Sequence, residues 1–455
     1  MKDSGKEPTP TTTLNMDEFT QLCALWPELT LDLSDIASAQ ECCGLLRENM
    51  KAFIHSLEAP FDYHRKAVED FNQWIRSGIP AYQDHPPIAS LSELPIVSKA
   101  EFRRAAKDYR ATESDPLGVW IKGTSGSTGP PRAIFYSTLF HHYATLLSVP
   151  RIAYRLRLKP DAGNLLYCFT IRDKPGEKPL LRFDPTGYSG WNLRTGVDTS
   201  LPGAIISCFE ALAKAGAFCI SSNPSLLAAL VEIIPEATAR AAGVKLIVSG
   251  GAALPESTKR RLEALFGARV CSVYGLSETG IVASECSLGS MHFNTADCYP
   301  EILPRSTEAP EGESCEIVLT ATSNTEMPFR RYRTGDLGRL RSGACACGET
   351  SPVLESLDGR VVPAFYLPGG RIFSPTQFRN TFHIFPWLKE FQMIQEKETL
   401  IRVLFEASEE PVIPGGAENL RGHFLQKLGE GMEVQMQEHR FRPDDKFQRY
   451  KTVLQ

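Results

Sequence analysis

Short apolar runs alternate with amphipathic helical segments through the middle of the chain. Residues 225–243 have helical periodicity, and residues 244–251 (VKLIVSGG) form an apolar run that predicts a buried strand. A second pair follows, in which residues 255–267 predict a helix and residues 269–275 (RVCSVYG) predict a strand. Strands that alternate with helices in this way predict a largely parallel sheet covered by helices, and therefore an α/β fold.

The flanking segments have other patterns. Residues 39–57 have helical periodicity, and Ser98 followed by Glu101 is typical of a helix N-cap with its capping partner. Residues 315–322 and 330–340 predict strands that are more exposed than the central ones.

The length of 455 residues exceeds the usual size of one domain, so a large domain and a smaller one are expected. The polar, Pro/Thr-rich residues 1–13 predict a disordered tail. A change in the pattern of apolar and polar residues near LDGRVVP predicts a large N-terminal domain over residues 14–359 and a small α+β domain over residues 360–455.

Composition narrows the class of partner. Hydrophobic content of 42%, charged content of 23% and a net charge of −5 fit an ordinary globular protein and argue against nucleic acid as the main partner. The sequence contains no apolar run of about 18 residues, the length that would predict a membrane span, and no recognisable signal peptide. A cytoplasmic location is therefore expected. The twelve cysteines should then be mostly reduced and buried.

A glycine-rich, hydroxylated segment lies between two apolar strands at residues 123–132 (GTSGSTGPPR). It is not a Walker A motif, because Pro130 follows the last glycine where that motif needs lysine and a hydroxyl residue. Glycines allow close backbone approach, and hydroxyls are donors suited to a polyphosphate. A flexible linker is the alternative interpretation. The phosphate-loop candidates are Thr124, Ser125, Gly126, Ser127, Thr128 and Gly129.

This segment resembles the phosphate loop of the adenylate-forming superfamily, which contains acyl-CoA synthetases and peptide adenylation domains. YGLSE at 274–278, YRTGDL at 332–337 and DGR at 358–360 resemble the later motifs of that superfamily, in the order it requires. The stretches LSELPIVSKAEFR, MHFNTADCYPEIL and CACGETSPVLESLDGR are most similar to its phenylacetate-CoA ligase branch.

The resemblance implies a large AMP-binding domain with layered, mostly parallel sheets and a small C-terminal lid. It also implies that ATP and Mg²⁺ activate a carboxylic acid as an acyl-adenylate, with release of pyrophosphate and transfer of the acyl group to coenzyme A. A carrier-protein thiol or an amine as the acceptor, and a nucleotide-binding regulator without turnover, stay open as alternatives. The sequence does not fix the oligomeric state, so a homodimer stays open too.

Site residues follow from the same motifs. The resemblance makes Thr128, Glu278, Arg360 and Lys446 the catalytic candidates, with Glu278 as the Mg²⁺ ligand. The remaining nucleotide contacts implied are Gly250, Gly251, Ala252, Tyr274, Gly275 and Asp336, where Tyr274 would stack on the base and Asp336 would bind the ribose hydroxyls. The acid pocket implied is Tyr136, Phe140, Ala252 and Gly275, whose apolar character favours an aryl or medium-sized apolar acid.

Each of these residues also has an ordinary structural interpretation, such as a solvated turn carboxylate, a capping aspartate or plain core. Lys446 lies in DDKFQRYK, where the family's preceding glycine is Asp445 and Lys451 is a rival for the role. The family hinge carries an acidic pivot soon after its arginine, but here Arg360 is followed by VVPAF, and Pro363 restrains φ.

A metal site is the last expectation. Cys286, His292, Cys345 and Cys347 offer three thiols and one imidazole, the set that a tetrahedral structural zinc site prefers. Branch members look alike at these places, although buried thiols without metal are also common.

Overall fold

The structure is a computed structural model. It describes residues 15–59, 75–84, 91–98, 101–102, 105–123, 133–161, 163–198, 201–303, 315–341, 343–360, 365–373, 375–378, 381–385, 387–407, 415–441 and 450–454. The side chains of residues 123, 358–360, 370, 372, 376, 377, 382, 383 and 389 are not described.

A thirteen-stranded sheet in the order β1-β5-β6-β4-β7-β8-β9-β10-β11-β15-β14-β13-β12 dominates the first part of the described chain, and β2 pairs with β3 in a separate two-stranded sheet. The strands are β1 Thr30–Leu31, β2 Val119–Gly123, β3 Ala133–Ser137, β4 Leu166–Asp173, β5 Leu180–Phe183, β6 Trp191–Val197, β7 Ala217–Ser222, β8 Leu246–Gly250, β9 Arg269–Leu276, β10 Gly280–Glu285, β11 Met291–Phe293, β12 Cys298–Leu303, β13 Cys315–Ala321, β14 Phe329–Leu340 and β15 Val353–Arg360.

The sheet has a parallel half and an antiparallel half. Strands β6, β4, β7, β8 and β9 run parallel, so their carboxyl ends meet at one edge. From β9 onward the neighbours β10, β11 and β15 pair antiparallel. The parallel, helix-covered sheet that the central pattern predicts is confirmed.

Nine α-helices lie in this part of the described chain. They are α1 Met16–Leu25, α2 Leu33–Glu41, α3 Cys43–Ser56, α4 Thr138–His142, α5 Ser148–Arg155, α6 Pro202–Ala215, α7 Pro224–Ile233, α8 Glu236–Ala241 and α9 Glu256–Phe266, with a π-helix at Tyr143–Leu147 between α4 and α5. The capping pair is confirmed, because the Ser98 N–H donates to Glu101 Oε2 at 2.7 Å and the Glu101 N–H donates to Ser98 Oγ at 3.1 Å.

Two predicted helices are each divided in the structure. The segment 225–243 breaks at Ile234, whose ψ of 126° is extended, because the following Pro235 disfavours helical geometry in the residue before it. The segment 39–57 breaks at Cys42, where ψ is 11°.

The prediction that residues 315–322 and 330–340 form more exposed strands is wrong about their exposure. Strand β14 lies inside the sheet between β13 and β15. Its residues Phe329 and Tyr332 are buried against Phe102, with ring centroids 5.0 and 6.3 Å from that ring.

The C-terminal part has an α+β arrangement of its own. Strands β18 Leu388–Lys397, β19 Leu400–Ala407, β20 Glu433–Glu438 and β21 Tyr450–Thr452 form a sheet in the order β20-β19-β18-β21. The elements around it are the paired β16 Phe365–Leu367 and β17 Arg371–Phe373, the short α10 Thr381–Ile384 and α11 Gly416–Leu428. Helix α11 contributes Leu420, Phe424 and Leu428 to a core shared with Phe391 and Val403.

Contacts divide the chain into two compact units, and the division after the long sheet falls between Gly359 and Arg360. Among the described residues, no helix combines the length and the apolar character needed to cross a bilayer. All twelve cysteines are described, and none forms a disulfide.

Candidate active site

Two glycine-containing turns form the floor of the site at the carboxyl ends of β8 and β9. A Cβ on Gly250 would lie 2.9 Å from Val273 Cγ2, and Gly251 has a φ of +92°. A Cβ on Gly275 would lie 3.1 Å from the carbonyl oxygen of Gly280. Gly250 and Gly275 therefore allow neighbouring protein atoms to pack closely on these strand ends, whereas no described atom lies within 4 Å of a Cβ on Gly251, so the backbone is open there.

Asp336 is held at this edge by a tyrosine from a different strand. The Tyr274 hydroxyl on β9 donates to Asp336 Oδ2 on β14 at 2.8 Å. The Asp336 N–H donates to Thr334 Oγ1 at 3.1 Å, which fixes the turn before the carboxylate. Burial of the Tyr274 hydroxyl and the adjacent Asp336 charge raise the pKa of this tyrosine, so it stays a neutral donor.

Glu278 is oriented in the same way. It lies in the turn between β9 and β10 and is half-buried. The hydroxyl of Tyr332, whose side chain is fully buried, donates to Glu278 Oε1 at 2.8 Å. The two carboxylates are therefore both tied to partners that join β9, or the turn after it, to β14.

Tyr136 and Phe140 form an aromatic wall beside the Glu278 turn. Their rings meet edge to face with centroids 4.7 Å apart, and both side chains are buried. The Tyr136 hydroxyl donates to the carbonyl of Ser277. Burial, and then the Glu278 charge, raise the pKa of Tyr136. A Cβ on Gly280 would lie 3.5 Å from the Phe140 ring, so Phe140 packs directly on the turn.

The local sequence explains how this wall is placed. Ser137 caps α4 by accepting the Phe140 N–H at 3.3 Å. Thr138 ties the helix start to an earlier loop through a bond from its hydroxyl to the Gly118 carbonyl at 2.7 Å. The π-helix that follows α4 aims the Tyr143 hydroxyl at Asp297 Oδ2, 2.5 Å away. A π-helix at this position is consistent with a functional site.

Several predicted site residues lie outside the described residues. They are the loop residues Thr124, Ser125, Gly126, Ser127, Thr128 and Gly129, together with Pro363 of the altered hinge and Lys446. Arg360 ends β15, but its side chain is not described. The glycine-rich loop connects the paired strands β2 and β3. Ala252, a predicted contact of the nucleotide and the acid, is exposed just after β8.

The four predicted metal ligands come together in space. The ligand atoms of Cys286, His292, Cys345 and Cys347 all lie within 4.8 Å of one another. His292 Nδ1 lies 3.0 Å from the Ser351 carbonyl oxygen, and His292 Nε2 lies 3.3 Å from Cys347 Sγ. Three sulfurs and one imidazole nitrogen in this arrangement could hold a tetrahedral metal ion.

The cysteines of this cluster differ in their environment. Although burial opposes it, hydrogen bonds from the Cys347 N–H, Ser290 and His292 lower the pKa of Cys345 to about 6. Burial and the neighbouring Cys345 raise the pKa of Cys347 to about 12. A thiolate at Cys345 is the form that binds a metal.

Sequence reasoning missed the roles of two tyrosine hydroxyls. Tyr332 is the first letter of YRTGDL, yet nothing in the motif shows that it reaches Glu278. Tyr274 was expected to stack on the base, and its bond to Asp336 was not foreseen. Stacking by Tyr274 stays a prediction.

A buried group formed by Asp35, His141 and His142 was also missed, and no spacing in the sequence signals it.

Comparisons with known proteins match parts of the chain. The family model for AMP-binding enzymes matches residues 195–322. A phenylacetate-coenzyme A ligase from Thermus thermophilus is 27% identical over 192 residues, which cover 39% of this chain and 42% of that ligase. The matched segment thus spans less than half of the curated relative.

Solved structures match over more of the chain. A 2-hydroxyisobutyryl-CoA ligase in complex with R3-HIB-AMP is similar with a TM-score of 0.63 and 18% identity, covering 87% of this chain and 90% of that one. An open conformation of the same ligase in complex with 2-HIB-AMP and CoA has a TM-score of 0.59, also at 18% identity, and covers 87% of this chain and 93% of its own. At this identity the likeness shows the fold.

Residues 195–322 are thus similar to AMP-binding enzymes, and the fold of the described chain is similar to that of a CoA ligase.

Proposed function

We propose that the protein uses ATP to convert a carboxylic acid to an acyl-adenylate with release of pyrophosphate, and then transfers the acyl group to coenzyme A. The observation that carries the proposal is the pair of carboxylates at the sheet edge, Glu278 and Asp336, each bound by a tyrosine hydroxyl at 2.8 Å. Two fixed carboxylates beside a glycine-lined floor suit a ligand with a metal-bound polyphosphate and a ribose.

Bound ATP and Mg²⁺ would supply an electrophilic α-phosphorus and a leaving pyrophosphate. Glu278 would hold the metal ion, and Asp336 would accept hydrogen bonds from the ribose hydroxyls. The backbone at Gly251, where no described atom lies within 4 Å of an added Cβ, would leave room for the base. Thr128 and the other loop hydroxyls would donate to the outer phosphates, and Arg360 and Lys446 would neutralise charge near the reacting phosphorus. The roles of these loop, hinge and terminal residues are proposals from the motif.

The acid would lie against the wall of Tyr136 and Phe140, with Ala252 and Gly275 across from it. An edge-to-face aromatic pair that is almost fully buried favours an aryl or apolar acid over a charged one.

Coenzyme A is the preferred acceptor because the ligases that this chain resembles are named for it. A carrier-protein thiol and an amine are the acceptors to test against it. A homodimer and a cytoplasmic location stay predictions.

The test is carboxylate-dependent exchange of labelled pyrophosphate into ATP, measured with a panel of aryl and aliphatic acids. Exchange with at least one acid is expected, and omission of Mg²⁺ should abolish it. Lys446→Ala should reduce exchange strongly, whereas Lys451→Ala serves as the matched control. No exchange with any acid would refute adenylation and favour a nucleotide-binding regulator. Coenzyme A, a carrier protein or amines added to an active mixture would then identify the acceptor.

We also propose that the cluster of Cys286, His292, Cys345 and Cys347 holds a structural Zn²⁺. Its support is the convergence of three thiols and one imidazole within 4.8 Å and the ordered second nitrogen of His292. Metal analysis of protein purified without a histidine tag should give about one zinc per chain. Less than about half an equivalent would refute the site.

A further inference from the structure

Three arginines lie on one face of the thirteen-stranded sheet, outside the site described above, and Lys122 of β2 lies close enough to interact with them electrostatically. We call them the basic cluster: Lys122, Arg172, Arg182 and Arg194. Strand register places three of them, because Arg194 on β6 pairs with Thr170 on β4 and with Leu180 on β5. Since side chains alternate along a strand, Arg172, Arg182 and Arg194 point to the same side.

The carboxylates near the basic cluster compensate it only in part. Glu177 Oε1 lies 3.1 Å from Arg172 and 3.6 Å from Arg194, and it is also 3.8 Å from Lys174. One carboxylate is thus shared among three cations.

Arg182 has its own acidic partners. Its Nε lies 3.3 Å from Asp35 Oδ2, and its Nη2 lies 4.0 Å from Asp32. Asp35 Oδ1 is also 2.9 Å from His141 Nε2. Burial lowers the pKa values of His141 and His142, the latter to about 4, so both rings are neutral at pH 7. Arg182 occupies the open side of Asp35, so this buried group is not arranged for a cation.

Two guanidinium donors of the basic cluster form ion pairs but no hydrogen bonds. Within the described chain, the buried Nε atoms of Arg182 and Arg194 lie 3.3 and 3.6 Å from carboxylate oxygens without a hydrogen bond, and Glu177 Oε2 accepts none. Reduced hydration and repulsion by Arg182, Arg194 and Arg172 lower the pKa of Lys122. A second anion would relieve that repulsion and satisfy the donors.

Lys122 connects the basic cluster to the active site. It lies in β2, and its ammonium lies 5.1 Å from the centroid of the Tyr136 ring, which contacts the Glu278 turn. Arg172 lies near the carboxyl end of β4, at the sheet edge where the β8 and β9 turns also lie, and Arg194 lies in the middle of β6 beside it.

We infer that the basic cluster is a binding site for a phosphate-bearing anion at the border of the active site. A guanidinium group can bind two phosphate oxygens at once, and Arg172 and Arg194 share a single carboxylate with Lys174. This arrangement favours a multivalent anion over a simple carboxylate. The inference rests on the proposed function, because that function supplies two sources of phosphate groups. They are the released pyrophosphate and the phosphates of coenzyme A.

The direct test is binding, which does not require turnover. The full chain is titrated calorimetrically with inorganic pyrophosphate and with adenosine 3′,5′-bisphosphate, and adenosine and acetate serve as probes without phosphate. Arg172→Gln and Arg194→Gln should each weaken phosphate binding about tenfold, because each removes charged hydrogen bonds. Arg172 is the safer variant, since its side chain is 46% exposed.

Glu177→Gln should change the affinity for phosphate in the opposite direction. It removes the carboxylate that competes for Arg172 and Arg194, so phosphate binding should become several-fold tighter. A purely structural role of the cluster would give weaker binding or no change. The matched controls are Arg260→Gln and Glu256→Gln, an exposed pair on α9 with atoms 3.7 Å apart, and neither should change phosphate binding.

Activity assays distinguish coenzyme A from pyrophosphate as the source of the bound phosphate. A higher KM for coenzyme A, with pyrophosphate exchange unchanged in Arg172→Gln, assigns the site to the acceptor. A higher KM for pyrophosphate in exchange assigns it to the leaving group. Absence of phosphate binding in the unmodified chain, or equal binding in all variants, would overturn the inference. If phosphate binds but no acid supports exchange, the proposed function fails and the anion site stands.

Discussion

The bond between Tyr332 and Glu278 predicts that Tyr332→Phe impairs adenylation without unfolding the protein. The substitution removes one hydroxyl from a fully buried ring and keeps its packing against Phe102 and Phe329. Glu278 loses the donor at 2.8 Å that orients it. The proposed metal ligand would then sample several rotamers, and Mg²⁺ with its nucleotide would bind less well.

The structure sets the size of the effect. A hydrogen bond to a charged group contributes about 1.5–3 kcal/mol, which corresponds to roughly 10–150-fold in an equilibrium or rate. Glu278 is half-buried, so water can replace part of the lost bond. We therefore expect a decrease of about tenfold in kcat/KM for MgATP in pyrophosphate exchange, with a higher Mg²⁺ requirement.

Tyr82→Phe is the matched control. Tyr82 is equally buried and belongs to the same apolar cluster, but its hydroxyl donates to the Pro328 carbonyl at 3.4 Å, accepts the Arg330 N–H at 3.3 Å and does not contact Glu278. Both variants should lose about 1 kcal/mol of unfolding free energy in urea denaturation. Equal exchange activity in the two variants would refute the assignment of Glu278 to the metal.

Three further predictions follow from single contacts. Tyr274→Phe removes the 2.8 Å bond to Asp336 and should raise the KM for ATP about tenfold in exchange assays, whereas an unchanged KM would contradict the ribose role. Gly250→Ala brings a Cβ within 2.9 Å of Val273 and should cost about 1–3 kcal/mol in urea denaturation. Combining it with Val273→Ala should restore part of that loss, and a double variant no better than the simple sum would refute the clash. Cys345→Ser should lower zinc content and the melting temperature together, whereas full retention of zinc would exclude Cys345 as a ligand.

The central fold was predictable because its signals are local. The apolar run at 244–251 and the helical pattern at 255–267 became β8 and α9 with small shifts at their ends. The division of the helix at 225–243 is local too, because Pro235 disfavours helical geometry at Ile234 even though the apolar periodicity continues past it.

Exposure of β14 could not be predicted from its own residues. Arginines and an aspartate in RRYRTGDL suggest a solvated strand, but the strand order places β14 between β13 and β15. Buried charges such as Arg331 are then paired, here with Glu301 at 3.0 Å. Strand order depends on contacts among distant segments, which a local pattern does not encode.

The sequence by itself determined which residue types the candidate site can use. It supplied the glycines and hydroxyls between β2 and β3, the carboxylates Glu278 and Asp336, and the set of three cysteines and one histidine. These residue types suit a polyphosphate, a ribose and zinc wherever they meet, because charge, ligand softness and backbone freedom belong to the residues themselves.

The tertiary structure alone decided which groups meet. Tyr274 and Asp336 are 62 positions apart, and Tyr332 and Glu278 are 54 apart, yet both pairs form hydrogen bonds. The basic cluster exists only because β5, β6 and β4 pair in one register, and a slip by one residue would turn those arginines to the other face. Such contacts depend on the packing of the whole sheet, because register and strand order are fixed by burial summed over many strands.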